Sequence, residues 1–347
     1  NDSVSVIDAV MHTRVAEIAV GVQPRSLAIA PNGRIWAVNR GAASLSMIDP
    51  VSLAVAQTVT LPTGSQPYGI VIGNDGSAYV ALEATGRVLK LNAAGSTLAD
   101  VAVPGARHLA LSRDGARLLV ARFVTAPQPG EATTVVQTAV NGVNTGGELV
   151  ELDPATLAQR RRFVLQHSQK PDTTVSARGV PNYLGAPAIA PDGNSAWVPS
   201  KQDNIQRGVR RDGQDLDFQD TVRAISSRID LVAQAEDHPA RIDHDNAGLA
   251  SAAVYHPNGA YVFVALETSR QVAVLDAAGR RELFRIEVGR APQALAVSPD
   301  GLRLYVDNFM DRTVAVHDLS TLVNSGDTAL PRLALLASVA TEKLSAT

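Results

Sequence analysis

Cysteine is absent from the 347 residues. That excludes disulfides, thiolate metal sites, cysteine nucleophiles and covalent haem attachment within this chain. Aromatic residues are scarce, at 4%, so a core must be built mainly from aliphatic side chains. Neither sign of charge dominates, because 31 Lys and Arg stand against 34 Asp and Glu for a formal net charge of −3. No basic stripe points to nucleic acid. No apolar run approaches the roughly eighteen residues of a membrane helix, and no secretory leader pattern is visible. There is no phosphate loop or dinucleotide fingerprint, and no Gly-x-Ser-x-Gly elbow.

What the chain does have is repetition. A turn triplet ending in glycine recurs at Pro31-Asn32-Gly33, Asn74-Asp75-Gly76, Arg113-Asp114-Gly115, Pro191-Asp192-Gly193, Pro257-Asn258-Gly259 and Pro299-Asp300-Gly301. Asn-Gly and Asp-Gly between apolar runs mark hairpins, because glycine accepts positive φ. An apolar strand (a) precedes each turn and a second strand (b) follows, as in Leu27-Ala28-Ile29 and Ile35-Trp36-Ala37-Val38. A third, alternating strand (c) ends in Asp or Asn, as in Ser44-Leu45-Ser46-Met47-Ile48-Asp49, and a fourth (d) returns, as in Val55 to Val59. The period is about forty residues: Gly33 to Gly76 is 43 and Gly259 to Gly301 is 42. Four-stranded units at that spacing read as propeller blades.

Six a–b hairpins stand against seven c–d hairpins, the latter marked by Asp8, Asn92, Asp49, Asp153, Asp230, Asp276 and Asp318. The expectation is an all-β, seven-bladed β-propeller of four-stranded antiparallel blades, with one blade incomplete at the N-terminus. Six blades plus a stray hairpin also fits the count. Residues 1–330 form one domain, in which 1–20 is the outer half of a blade whose inner hairpin precedes Asn1. Residues 331–347 hold the last outer strand and the start of a linker. Leu27, Ile29, Trp36, Tyr79, Trp197, Phe263, Leu295 and Tyr305 are expected between blades, and the Asp residues at the c–d turns are expected to cap them as Asx turns.

Leu304-Tyr305-Val306-Asp307-Asn308, Val4-Ser5-Val6-Ile7-Asp8 and Pro292 to Gly301 resemble the YVTN repeat family over nearly the whole chain. A narrower resemblance lies in Gly179-Val180-Pro181-Asn182-Tyr183-Leu184-Gly185-Ala186-Pro187, Trp197 to Asn204, Arg223 to Asp230 and Arg241 to Asn246. These look like exported bacterial proteins in which such a propeller precedes a MauG-like, dihaem-peroxidase-type c-type cytochrome domain. The resemblance implies a periplasmic or extracellular protein. It also implies a non-catalytic chain that carries no cofactor itself and docks a haem-c-bearing domain or another protein. An enzyme of the lactonase or dehydrogenase sort, with a metal or cofactor at the channel mouth, is the alternative.

Four long connections, Arg122 to Gly147, Gln166 to Gly185, Lys201 to Ser226 and Ala235 to Gly248, belong to the end of the blades where b leads to c and d leads to a. Long irregular connections often carry function. Alignment of strands b puts Arg40, Glu83, Lys201 and Glu267 in equivalent slots there, with Arg122 one step earlier. Asp203, Asn204 and Asn308 complete this candidate partner-binding face. For any one of these residues, solvation or pairing on the rim is the simpler role. His167, His244 and Asp245 are the candidate metal ligands, with His238, Asp172 and Asp243 near them in sequence; oxygen and imidazole donors suit a divalent transition metal. His108 is placed at the start of a strand a, where it faces the channel or serves as a wall residue, and His317 reads as structural.

Overall fold

The computed structural model describes residues 2–131, 135–171, 173, 176–205, 221–324 and 333–341. Its described strands follow the repeat. A two-stranded antiparallel hairpin, Ser3–Asp8 with Thr13–Ala19, comes first. Six antiparallel blades follow, in the order a-b-c-d. Blade I is Pro24–Ile29, Ile35–Asn39, Ser44–Asp49 and Ala54–Thr60, and blade II is Pro67–Ile72, Ala78–Leu82, Arg87–Leu91 and Thr97–Ala102. Blade III is Ala106–Leu111, Leu118–Arg122, Gly146–Leu152 and Gln159–Gln166. Blade IV has strands b and c at Ser195–Asp203 and Val222–Asp230. Blade V is Ala250–Tyr255, Tyr261–Leu266, Gln271–Asp276 and Arg281–Glu287. Blade VI is Pro292–Val297, Arg303–Asn308, Thr313–Asp318 and Leu335–Ala340. The described architecture is therefore six blades plus a hairpin.

The local signals act as their chemistry requires. The glycine that closes each a–b turn has positive φ, as at Gly33 (+82°) and Gly301 (+75°), a region that a side chain disfavours. At five of the c–d turns, those of Asp8, Asp49, Asp153, Asp230 and Asp276, the carboxylate accepts two backbone N–H bonds. Asp49 takes them from Val51 (3.0 Å) and Ser52 (2.8 Å), and Asp230 from Val232 (2.9 Å) and Ala233 (2.7 Å). These bonds hold the Asp49 and Asp230 carboxyls below the usual range.

The chain divides into two compact units. Residues 1–122, 150–161 and 339–347 form one; residues 123–149 and 162–338 form the other. In the first unit, Trp36, Val38 and Met47 of blade I pack with Ile70, Val80 and Leu89 of blade II. The opposite face of blade II, with Tyr79, Ala81 and Val88, packs with Leu109, Val120 and Leu152 of blade III. Ala37 and Ile48 of blade I pack with Val4 and Ile18 of the hairpin. In the second unit, Trp197 and Ala224 pack with Val262, Val264 and Leu275. On the far side of blade V, Phe263, Val272 and Val274 pack with Leu304 and Val306. The clusters are chiefly aliphatic, as the composition requires.

Four of the expected core residues, Trp36, Tyr79, Trp197 and Phe263, are buried. Two are not: Leu27 is 52% exposed and Ile29 71%. The register equivalents of Leu27 in blades II and III are covered, with Ile70 at 6% and Leu109 at 8%, and those of Ile29, namely Ile72 and Leu111, are partly buried. Each equivalent rests on a strand a–b pair of the preceding blade. The hairpin before blade I has only strands c and d, so it leaves Leu27 and Ile29 uncovered. Leu295 and Tyr305 are only partly buried.

Two of the expected long loops carry short strand segments. Ala235–Glu236 and Ile242–His244 both pair with strand c of blade IV, so they are one strand d in two pieces. A 3-10 turn at His238–Ala240 separates them, with Pro239 in its first turn; proline has no N–H for the ladder. Val180–Asn182 and Ala188–Ile189 likewise pair with strand b as a split strand a. Strand b runs on to Asp203, and most of its connection to strand c lies outside the described residues. Within 122–147, Ala139–Val140 and Val143–Asn144 make a small exposed hairpin.

Replacing a large buried aromatic typically costs about 3–5 kcal/mol. Trp197→Ala is expected to fall in that range by urea denaturation, whereas Leu27→Ala, at an exposed site, is expected to cost under about 0.5 kcal/mol. Equal losses would mean that Leu27 is covered in solution.

Candidate functional site

The register aligns the blades at the end of strand b. Pro24 pairs with Asn39, Pro67 with Leu82, Ala106 with Arg122, Ala250 with Leu266 and Pro292 with Asn308. The next residue is the outward slot: Arg40, Glu83, Phe123, Glu267 and Phe309. In blade IV the pairing of Trp197 with Ala188 puts Lys201 in the same slot. Arg122 and Asn308 therefore stand one step inside it. The slot backbone is held the same way in several blades: the amides of Arg40, Glu83 and Phe309 donate to the carbonyls of Gln23 (2.9 Å), Gln66 (3.2 Å) and Ala291 (3.1 Å). Those three acceptors are all in left-handed backbone, at φ +55°, +48° and +53°. Sequence alignment missed the two phenylalanines, because an apolar residue at a strand end looks like core.

In the first unit the slots carry an ion-pair chain. Glu83 lies 3.2 Å from Arg40 and 3.4 Å from Arg107. Arg40 also donates to Gln66 Oε1 (2.5 Å). The Arg107 guanidinium lies 4.1 Å from the Tyr68 ring centroid, and His108 meets that ring edge-on at 5.1 Å. Burial, with the Arg107 charge beside it, pushes the His108 pKa down to about 3, so this histidine is neutral. Arg122 donates from Nε to the Pro104 carbonyl (2.7 Å).

In the second unit the slot chemistry is aromatic as well as charged. The Lys201 ammonium lies 4.0 Å from the Tyr183 ring centroid, and Tyr183 stacks on Phe123 at 4.7 Å and 14°. Asp203 holds the ammonium from the side (3.0 Å) and accepts from Asn182 Nδ2 (2.7 Å). Asn182 Oδ1 in turn accepts from Thr125 N (2.9 Å). Asn204 N donates to the Thr221 carbonyl (3.0 Å). Glu267 accepts from Gln293 (3.0 Å), and Asn308 donates to Thr313 Oγ1 (3.2 Å). Phe309 is 47% exposed and Met310 beside it 59%. Asp307, two steps inside the slot, sits level with Val38, Ala81, Ala121 and Ala265. Burial pushes its carboxyl up to about 6.

His167, His244 and Asp245 are not gathered. Among the described residues no group of three or more His, Asp or Glu is placed to hold a metal ion, and Asp172 lies outside those residues. His167 is buried, 3.3 Å from Gln169, and desolvation pushes its pKa down to about 4. Asp243 pairs with Lys170 (3.3 Å). His244 has both nitrogens engaged, Nε2 with Ser226 Oγ at 2.8 Å and Nδ1 with Glu282 at 2.6 Å. Those are the distances of a nucleophile, base and orienting acid. Ser226 and His244 are fully buried, however, so the relay ties blade IV to blade V and presents no nucleophile to solvent. Burial raises the Glu282 carboxyl, and the bonds from His244 and Arg285 outweigh it and hold it low. His317 is buried and desolvation lowers its pKa.

A buried ion pair was also hidden from sequence reasoning. Arg241 and Glu236 meet at 2.5 Å with both side chains fully enclosed. Arg241 donates to the Gln166 carbonyl (2.6 Å), and Glu236 accepts from Gln166 N (2.7 Å). The pair thus closes the bulge in the split strand d and satisfies the backbone at Gln166, where strand d of blade III ends. Its two members are five residues apart in a segment that reads only as polar loop.

The sheets define an all-β propeller of four-stranded antiparallel blades. No protein-family model matches the chain, and no curated protein matches it in sequence. The fold is similar to a solved chain titled Kuenenia stuttgartiensis hydrazine synthase, with a TM-score of 0.72, 18% identity, and coverage of 92% of this chain and 90% of that one. At that identity the likeness is one of fold. Among the described residues no helix is long and apolar enough to cross a membrane.

Two outcomes follow from this geometry. Glu236→Gln leaves the Arg241 charge buried without its counter-ion and is expected to cost about 3–5 kcal/mol in chemical denaturation; a loss under about 1 kcal/mol would mean that water reaches the pair. Asp307 has a folded pKa above its unfolded value, so its contribution to stability is present below about pH 4 and is lost as pH rises to about 6. Asp307→Asn is therefore expected to raise the melting temperature at pH 8 and not at pH 3.5. An equal gain at both values would assign the effect to packing.

Proposed function

We propose that this chain is a seven-bladed propeller of the YVTN kind, with Ser3–Ala19 as the outer half of its seventh blade. In this reading it is a non-catalytic scaffold, without a cofactor of its own, in an exported redox protein of the bacterial periplasm or exterior. Its b–c end docks or gates a c-type cytochrome domain of the dihaem-peroxidase kind, or another protein. The observation that carries the reading is the chemistry of the slots. Five strand ends present Arg40, Glu83, Phe123, Glu267 and Phe309, Lys201 holds the same register place inside strand b of blade IV, and Phe309 is half exposed with Met310 beside it. Aromatic residues, methionine and arginine are enriched at protein interfaces. A lysine held over a stacked tyrosine offers a cation fixed in direction. Mixed charge suits orientation and specificity more than raw affinity. The haem-bearing partner comes from the motifs around Gly179–Pro187 and Trp197–Asn204, which build the Tyr183–Lys201 stack.

Titration calorimetry against a dihaem c-type cytochrome domain tests this. Lys201→Glu combined with Phe309→Ser and Met310→Ser is expected to weaken association about tenfold or more, with an unchanged melting temperature. Unchanged affinity, together with loss of binding on substituting Val51 and Val232 at the c–d turns, would place the docking surface at the other end.

A further inference from the structure

Asn-Gly occurs three times in the chain, at Asn32-Gly33, Asn141-Gly142 and Asn258-Gly259. The dipeptide has a chemistry of its own. The glycine amide nitrogen can attack the asparagine side-chain carbonyl, because glycine puts no β-carbon in its way. What holds the two groups decides the outcome, and the three sites differ in this. The Gly33 amide donates to the Ala30 carbonyl (2.8 Å), and Asn32 Oδ1 accepts from Arg34 N (3.1 Å). The Gly259 amide donates to the His256 carbonyl (2.9 Å), and Asn258 Oδ1 accepts from Ala260 N (2.9 Å). Nucleophile and electrophile are both tied there, in turns that close the a–b strands of blades I and V. At the third site neither is tied. Among the described residues the Gly142 amide and the Asn141 side chain have no hydrogen-bond partner.

The backbone around Asn141 is a second, independent observation. Ala139–Val140 and Val143–Asn144 are two residues long each and pair with each other. Their base is tied by Thr145 N to the Thr138 carbonyl (2.9 Å) and Thr145 Oγ1 to the Gln137 carbonyl (2.8 Å). Asn141 and Gly142 both have positive φ, +52° and +77°, the pattern of a type I′ turn, and both are exposed. Val140 and Val143 are exposed as well, so no apolar packing locks the strands. A β-carbon added at Gly142 would meet nothing within 4 Å, which leaves room for a ring. A two-stranded hairpin without a packed face is marginally stable, and it opens far faster than an amide reacts. Asn141 therefore reaches ring-closing geometry by local opening, whereas Asn32 and Asn258 reach it only when a blade opens.

We propose that Asn141 is a deamidation site of the folded protein, and that Asn32 and Asn258 are protected by their turns. The Gly142 amide loses its proton to hydroxide, and its nitrogen bonds to Cγ of Asn141. The Cγ–Nδ2 bond breaks, ammonia leaves and a succinimide ring remains. Water then opens either carbonyl of the ring, giving aspartate or isoaspartate. Both products carry a new carboxylate on the connection between strands b and c of blade III. Isoaspartate also lengthens the turn backbone by one methylene, so the pairing of Ala139 with Asn144 is lost. The site is thus a slow, one-way change of charge and register at the b–c end of that blade.

The test incubates the whole chain in mildly alkaline buffer, with and without concentrated urea. Each Asn-Gly peptide is followed by mass spectrometry and by isoaspartyl methyltransferase labelling. In the folded chain, when half of Asn141 has converted, roughly a tenth or less of Asn32 and Asn258 is expected to have done so. In urea all three are expected to convert at similar rates, because only the turns distinguished them. Asn141→Gln is expected to remove the isoaspartyl label from the folded chain with an unchanged melting temperature. Conversion of Asn32 or Asn258 as fast as Asn141 in the folded chain overturns the proposal. So does an Asn141 that converts in urea and stays intact in the folded chain, or a label that survives Asn141→Gln.

Discussion

Burial of blade faces against neighbouring blades within each unit is the constraint on which this structure depends. A twisted four-stranded sheet of mainly aliphatic residues has two apolar faces, and each must leave water at roughly 25 cal/mol per Å². Strand b shows the result: Trp36, Tyr79, Trp197 and Phe263 are all buried at equivalent depth, and valine or alanine fills the positions between them. Where the neighbour is only the two-stranded hairpin, the same pattern leaves Leu27 and Ile29 in water. The residues are apolar in every blade, and the neighbour decides whether that apolarity is satisfied.

The same constraint frees the ends of the blades. Once the strands are locked by face-to-face packing, the slot after strand b is held by its own backbone bond and needs no particular side chain. Arg40 and Glu83 can therefore pair, Phe123 can stack under Tyr183, and Phe309 can stand in solvent, all on equivalent backbone. A rigid scaffold with variable strand ends is the usual setting for recognition. Blade IV departs from the pattern. Both its inner and outer strands are split, and the enclosed Arg241–Glu236 pair and the Ser226–His244–Glu282 relay take up polar groups that the broken ladder would otherwise strand. Buried charges and amides cost heavily without partners.

Much of the fold was legible because its signals are local. An Asp-Gly or Asn-Gly turn needs only the positive φ of its own glycine, and an Asx turn such as Asp49 bonds residues two and three positions on. The slot positions of Arg40, Glu83, Lys201 and Glu267 followed from counting along strand b. The polar segment 235–248 was read as loop because its pairing with 224–230 is set by a bulge around Pro239 that no periodicity reveals. His244 looked like a ligand for the same reason: its partners Ser226 and Glu282 lie 18 and 38 residues away.

The sequence by itself determined the repeat, the strand order within each blade and the turn chemistry, because these depend on φ preferences and on bonds between near neighbours in the chain. Tertiary structure alone decided which apolar faces are covered and which charges are enclosed. It also decided which histidines are neutral. Those properties depend on what a second, distant strand brings to the same place. Leu27 and Ile70 differ in exposure by a neighbour, not by a side chain, and no reading along one strand contains that neighbour.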